Sequence, residues 1–186
     1  GTTLNVPQGV TVVVDAGAVI KLRRARIGVG SSSVNIDRSA GALQILGTPV
    51  LLDPFNQVIR DASGAPVSGS VFLTSIHDDE IGADTNPDAF PPQAASGDWG
   101  GIVFRNDLDN QDANRFSYER AGIFLNTVSN ADIRYGGGTA LINGIPQTIT
   151  PIHITGSRPT IAYNDISFSA DAAVSASPDS FKETNF

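Results

Sequence analysis

The sequence predicts an all-β protein, and more specifically a parallel β-helix, a solenoid with long inserted loops. Short apolar, β-branched runs recur along the chain, and most gaps between them contain Gly, Pro, Asn, Asp or Ser. The periodicity of an amphipathic helix is nearly missing. Segments near the C-terminal end also repeat at a fixed step, which is typical of solenoids.

The apolar runs define the predicted strands. Several of them alternate apolar and polar residues, as in V-N-I, L-Q-I and I-H-I, so one face of each strand points inward and the other meets solvent. The predicted strands are residues 4–6, 11–14, 19–22, 27–29, 34–36, 43–46, 50–52, 71–74, 102–104, 123–125, 133–135, 152–154 and 166–168.

An internal repeat favours the solenoid over other all-β folds. SNADIRYGGG (129–138) aligns with PTIAYNDISFSA (159–170), which places Asp132 and Ile133 on Asp165 and Ile166, 33 residues later. A predicted strand precedes each copy, at 123–125 and 152–154. Units of a few short strands that cannot bury their own apolar face are expected to stack. Short strands also suit a sandwich or a closed barrel, and the repeat is imperfect.

Three polar segments interrupt the strand pattern. We expect one domain over residues 1–186, with loops leaving the solenoid at about 54–69, 77–96 and 107–120, the last with a helical turn near its end. Long loops on a solenoid are where function usually lies.

Composition limits the classes of function. The chain has 186 residues, 40% of them hydrophobic but only 7% aromatic, so a sizeable core must be mostly aliphatic. Its formal net charge is −7, and no basic patch points to nucleic acid. No apolar run is long enough to insert into a membrane. Cysteine is absent, which excludes disulfides and thiolate metal sites.

Several phrases carry a family resemblance. D-A-G-A-V-I-K-L (15–22), G-A-L-Q-I-L-G-T (41–48), V-F-L-T-S (71–75) and G-D-W-G-G-I (97–102) follow one another in this order. This pattern resembles the right-handed parallel β-helix modules of large secreted and surface proteins of bacteria. The resemblance covers residues 4 to about 169, and it implies that further rungs continue the solenoid, of which this chain is a fragment.

The resemblance implies an extracellular or cell-surface location and leaves three functions open. The first is a non-enzymatic structural or adhesive module. The second is a carbohydrate-active β-helix that binds or cleaves an acidic polysaccharide. The third is a self-associating fibre subunit, because the open ends of a solenoid are edges that need a cap or a partner.

The acidic loop HDDEIGADTNPD is the strongest candidate for a metal site. Carboxylate and amide oxygens are the ligands that Ca²⁺ prefers, and Gly82 would permit a turn that brings them together. The spacing is not that of an EF-hand, and a solvated loop rich in Asx turns is the competing interpretation. With Glu80 as a further oxygen donor, the predicted ligands are Asp78, Asp79, Asp84, Asn86 and Asp88.

The stretch SGDWGGIVF (96–104) holds the single tryptophan and is interpreted as a structural corner. Asp98 would cap a turn, Trp99 would cover the edge of a rung, and its N–H would find a partner. Gly100 and Gly101 would adopt backbone conformations that other residues resist. Ile102 and Phe104 would then face inward on the next strand, or Val103 would if the register is shifted by one residue.

Other polar residues have structural interpretations that compete with functional ones. His77 and His153 are expected to be surface histidines, and catalytic use of His77 with a neighbouring Asp is the alternative. Asp132 and Asp165 would stack on successive rungs, where they could flank a sugar or bind a cation, although corner turns are the preferred interpretation. Arg23, Arg24 and Arg26 are expected to form a solvated basic cluster. No phosphate loop, dinucleotide fingerprint or Ser-His-Asp pattern occurs.

Overall fold

The computed structural model describes residues 3–86, 93–109, 121–142 and 145–177. Across these residues the chain consists of strands, turns and irregular segments, without a helix. The strands are β1 (Thr3–Asn5), β2 (Thr11–Asp15), β3 (Val19–Leu22), β4 (Arg26–Val29), β5 (Ala42–Leu46), β6 (Val71–Ser75), β7 (Gly101–Arg105), β8 (Thr127–Ser129), β9 (Ala131–Arg134), β10 (Thr139–Ile142), β11 (Ile145–Thr148), β12 (Ile152–Thr155), β13 (Thr160–Ala162), β14 (Asp165–Ser167) and β15 (Val174–Ala176). The predicted all-β class is confirmed.

Three parallel sheets organise these strands. Sheet 1 has the order β1-β4-β7-β12-β15, sheet 2 has β2-β5-β8-β13, and sheet 3 has β3-β6-β9-β14. The chain visits the sheets in turn, so β1–β3, β4–β6, β7–β9 and β12–β14 each make one coil, and β15 returns to sheet 1. This arrangement is consistent with a parallel β-solenoid.

Aliphatic side chains at matching positions of successive coils form the core. Ile27, Ile102 and Ile152 lie in register on sheet 1. The equivalent trios are Ile45, Val128 and Ile161 on sheet 2, and Leu73, Ile133 and Ile166 on sheet 3. These residues belong to, or pack against, one buried cluster. A core of stacked aliphatics explains the low aromatic content.

The predicted repeat is confirmed by the strand register. Asp132 pairs with Asp165 and Ile133 pairs with Ile166, the step of 33 residues expected from the sequence. The strand that precedes β9 is β8, however, and residues 123–125 form no strand. Ile123 and Phe124 are exposed there, which shows that an apolar triplet alone does not enter the core.

Two other predicted strands are also wrong. Residues 34–36 and 50–52 contain only isolated antiparallel bridges, Ser33 to Ile36 and Leu52 to Val58. Val34 and Leu52 are exposed, because both segments lie in excursions from the coils. Conversely β8, β13 and β15 were missed, since each has a single large apolar residue between small or polar neighbours.

The excursions differ in kind. Between β5 and β6 the chain forms an antiparallel arm, closed by bridges from Thr48 to Gly69 and from Arg60 to Pro66. Asp61 turns its tip: the hydroxyl of Ser63 and backbone N–H groups donate to this carboxylate and lower its pKa. Strands β10 and β11 form an unpredicted antiparallel hairpin. The helical turn expected late in 107–120 lies outside the described residues, which include only 107–109 of that loop.

Candidate functional site

The tryptophan corner lies where the chain re-enters sheet 1 before β7. The Asp98 carboxylate accepts hydrogen bonds from the N–H of Ala95 and the hydroxyl of Ser75. Trp99 is fully buried, and its indole N–H donates to the carbonyl oxygen of Arg134 at 2.8 Å. The corner therefore ties β6, β7 and β9 together at the point where the chain re-enters sheet 1.

The two glycines of this corner differ. Gly101 has a φ of 87°, and a Cβ there would lie 2.5 Å from the carbonyl oxygen of Thr150, so this position requires glycine. Gly100 is buried but does not adopt positive φ, which corrects the prediction for that residue. Ile102 and Phe104 face the main core as expected, and Val103 packs on the opposite side with Ile149.

The acidic loop folds back onto sheet 3 through Asp78. This carboxylate is buried and accepts a hydrogen bond from the Thr74 hydroxyl and one from the Glu80 N–H. Arg134 provides its counter-charge, with a guanidinium nitrogen 3.5 Å from Asp78. A second nitrogen of Arg134 lies 2.8 Å from Glu80. Burial alone would lower the pKa of Arg134, but the Glu80 bond and the Asp78 charge raise it above its ordinary value.

The other predicted calcium ligands that the structure describes take no part in the ion pair between Asp78 and Arg134. Asp79 and Asp84 are exposed, and the Asp84 side chain accepts the Asn86 N–H in an Asx turn. The Asn86 amide nitrogen lies 3.5 Å from Nδ1 of His77. Asp88 falls outside the described residues. Among the residues that the structure describes, no group of three or more His, Asp or Glu side chains is placed to hold a metal ion.

A cleft of about 570 Å³ opens beside this loop. Three acidic side chains line its wall, together with one tyrosine and with His77 beside the buried Asp78. The lining residues are His77, Asp78, Asp79, Glu80, Gln93, Ala94 and Tyr135. The cleft thus brings both ends of the loop predicted at 77–96 next to Tyr135, the residue that follows β9 of sheet 3.

Asp132 and Asp165 form a stacked pair of carboxylates on the outer face of sheet 3. Both lie within strands, in register, so the interpretation as corner turns is wrong. Parallel neighbours lie about 4.8 Å apart, so the two charges repel. Burial raises the pKa of Asp132, and the charges of Asp165 and Asp78 add to this, while Arg134 opposes it.

Two aromatic residues continue the same repeat. Tyr135 and Phe168, also 33 positions apart, have stacked rings with centroids 4.9 Å apart and an interplanar angle of 10°. The Arg134 guanidinium lies 5.4 Å and 5.5 Å from the two ring centroids. Both aromatic residues have positive φ, which is uncommon for bulky side chains. Sequence reasoning missed this group, although the 33-residue step aligns its two rings.

The outer face of sheet 1 holds the second histidine. His153 is half-buried; Nδ1 lies 2.8 Å from the Ser175 hydroxyl and Nε2 lies 3.2 Å from the Thr155 hydroxyl. Burial lowers its pKa, and the charge of Arg105 adds to that effect. No carboxylate partner of His153 is found in the described part of the chain, so the contacts support a structural role over acid–base chemistry.

The basic cluster predicted at 23–26 is only partly solvated. Arg23 and Arg24 are exposed, but Arg26 is buried, which corrects the prediction for that residue. Arg26 shares β4 with Ile27 and Val29, which face the core, so alternation places the guanidinium on the outer side of sheet 1.

The comparisons with known proteins identify no relative. No family model, curated protein or solved structure matches the chain. Within the described residues, no helix is long and apolar enough to cross a membrane.

Proposed function

We propose that this chain is a right-handed parallel β-helix module with a structural or adhesive role outside the cell. The observation that carries the proposal is the in-register stacking of coils on three parallel sheets, with long excursions between the strands. Crossovers between parallel strands are almost always right-handed, because a right-twisted strand returns onto its sheet most easily that way.

The physics of such a stack suits a supporting role. Each coil contacts only its neighbours, so the module behaves as a stiff rod that holds its excursions at fixed positions. The phrases D-A-G-A-V-I-K-L and G-D-W-G-G-I, by their resemblance to bacterial surface modules, support the extracellular location. The net charge of −7 also favours solubility, because like-charged molecules repel one another when they are crowded together.

An assay of binding and turnover tests this role. We expect the labelled domain to adhere to surfaces or glycans without releasing new reducing ends from a panel of polysaccharides. A matched Asp132→Asn variant serves as control for any turnover. Release of sugar by the wild type that this variant abolishes would replace the structural role with an enzymatic one.

A second function, carbohydrate binding, is favoured by the cleft beside Tyr135. Aromatic rings offer apolar faces, and Tyr135 lines the cleft. Asp132 is outside the lining but close enough to Asp78 for their charges to interact, and it combines a raised pKa with a neighbouring carboxylate, as glycan sites often do. The acidity of the lining favours a neutral or cationic saccharide over the acidic polysaccharide expected from the resemblance.

Calorimetric titration separates these saccharide classes. We expect neutral oligosaccharides to bind more tightly than oligogalacturonate. Tyr135→Ala should weaken binding, and Phe55→Ala, on the distant and exposed arm, should not. Equal binding by the wild type, Tyr135→Ala and Phe55→Ala would show that the cleft is not the saccharide-binding site.

Calcium stabilisation remains part of the proposal on the strength of the sequence. Asp79 and Asp84 are the exposed oxygen donors of the predicted set, because Asp78 already faces Arg134 and the Oδ1 atom of Asn86 is buried. If calcium binds there, millimolar Ca²⁺ raises the unfolding temperature and Asp84→Asn reduces that rise. If neither Ca²⁺ nor a chelator changes the unfolding temperature, the protein is not stabilised by calcium.

Self-association is the third proposal, and exposed ladder residues favour it. Leu4 on β1 and Val174 on β15 pair in register with the buried Ile27 and Ile152, yet they are 58% and 42% exposed. Sedimentation at increasing concentration tests the idea. Wild-type protein should form larger species that Leu4→Glu suppresses; a monomer at all concentrations would exclude it.

A further inference from the structure

The outer side of sheet 1 contains a buried cation without a counter-charge. The Arg26 side chain is only 2% exposed. In the part of the chain that the structure describes, it has no carboxylate within ion-pair distance and donates no hydrogen bond. Its Nε atom is buried and unsatisfied. An N–H donor of a charged guanidinium that is left unpaired away from water is unfavourable.

The neighbouring charges make this position less favourable still. Burial, followed by the positive charges of Arg105 and Arg38, lowers the pKa of Arg26 to about 10. Arg26 is therefore still charged at neutral pH. Arg105 pairs with Asp107 at 2.7 Å, and Arg38 donates a hydrogen bond to the Ser32 hydroxyl. Both neighbouring arginines therefore have polar partners of their own, whereas Arg26 has none within the described residues. The positive charges of Arg38 and Arg105 thus act on Arg26 in a chain whose net charge is −7.

A second unsatisfied group lies beside the first. The Oδ1 atom of Asn5, on the adjacent strand β1, is also buried without a hydrogen-bond partner. A Cβ on Gly28 would lie 2.6 Å from this oxygen and 3.0 Å from Nη1 of Arg26, so both groups converge over a residue with no side chain. A half-turn of the Asn5 amide would direct its NH₂ group to the same place.

From this geometry we propose that Arg26, assisted by Asn5 and flanked by Arg38 and Arg105, binds a small oxyanion: a carboxylate, sulfate or phosphate group. A planar guanidinium matches the spacing of two oxygens on such a group and binds it through paired hydrogen bonds. The oxyanion would satisfy the unpaired donors and neutralise the cluster at one point. The inference does not depend on the proposed structural role.

Calorimetric titration at constant ionic strength tests the site with two probes, inorganic sulfate and glucuronate. Both carry the shared oxyanion chemistry; tighter sulfate binding indicates a free inorganic ion, and tighter glucuronate binding indicates a saccharide carboxylate. We expect Arg26→Met to weaken binding at least tenfold. Arg60→Met, which removes an exposed arginine from the arm and leaves sheet 1 intact, should leave binding unchanged.

The stability of the variant provides an independent readout. Arg26→Met removes an uncompensated buried charge and keeps an apolar stem, so in anion-free buffer it should unfold at or above the wild-type temperature. Arg26→Lys serves where the Met variant fails to fold; it keeps the charge but loses the paired geometry and should also bind more weakly. The proposal is overturned if neither probe binds the wild type, or if Arg26 variants bind as the wild type does.

Discussion

Replacing Trp99 tests whether the corner at residues 98–101 holds the coils together. Trp99 is fully buried in the main core, and its ring lies 3.2 Å from the position a Cβ would take on Gly136. Trp99→Ala should therefore lower the free energy of unfolding by about 3–5 kcal/mol, the usual cost of truncating a buried large aromatic residue.

A companion substitution separates packing from hydrogen bonding. Trp99→Phe keeps most of the apolar surface but leaves the Arg134 carbonyl without the indole donor. An unsatisfied buried acceptor costs about 1–3 kcal/mol, so this variant should fall between the wild type and Trp99→Ala. Phe55→Ala is the matched control, because Phe55 is 80% exposed on the arm and its loss should change stability by no more than about 0.5 kcal/mol.

Equilibrium unfolding in urea, followed by circular dichroism, measures these differences. Fluorescence is unsuitable because Trp99 is the single tryptophan. In a thermal scan the alanine variant should melt about 6–20 °C lower, given roughly 2–4 °C per kcal/mol for a domain of this size. A loss below about 1 kcal/mol for Trp99→Ala would refute the argument that the ring seals the core.

Three further predictions concern the charged groups. Because the folded pKa of Asp132 is raised, its ionised form destabilises the folded state; this penalty is fully present at neutral pH and vanishes below the unfolded value of 3.8. Asp132→Asn should therefore raise the free energy of unfolding by about 0.2–1 kcal/mol at pH 7 and leave it unchanged near pH 3. Urea titrations at both pH values measure the difference. The folded pKa of His153 is lowered, so stability falls as pH drops through 6.5. His153→Gln should reduce the change in melting temperature between pH 7 and pH 5, and a pH dependence equal to that of the wild type would contradict this. Arg134→Met leaves Asp78 buried without its cation and should cost about 3–5 kcal/mol, whereas Glu80→Gln, at a carboxylate that is 78% exposed, should cost about 0–1 kcal/mol in the same urea assay.

Periodicity predicted the coils because the core repeats the same aliphatic positions. The step from Ile133 to Ile166 is visible in the sequence although the β10–β11 hairpin lies within it, since the segments β8–β9 and β13–β14 are themselves uninterrupted. Between Leu73 and Ile133 the step is much longer, because excursions interrupt the coil and hide the period. For the same reason apolar runs such as 50–52 were assigned to strands although they belong to the arm.

The charged sites were harder to predict, because their partners come from other coils. Asp78 appeared as a ligand in an acidic loop, but Arg134, distant in sequence, supplies its counter-charge. Arg26 is predicted to be one of three solvated arginines. Its position within β4 and its burial in the folded chain distinguish it from the exposed Arg24. The sequence shows which residues are charged, whereas the stacking of the coils determines which charged residues become neighbours.

The stacking of coils is tested most directly by methyl–methyl nuclear Overhauser effects in a protein with labelled Ile, Leu and Val side chains. The account predicts contacts from Ile45 to Val128 and from Val128 to Ile161, but not from Ile45 to Ile161, which lie two strands apart on sheet 2. It also predicts contacts from Ile27 to Ile102 and from Ile102 to Ile152. Absence of these contacts, or their replacement by antiparallel pairing between strands adjacent in sequence, would contradict the parallel solenoid.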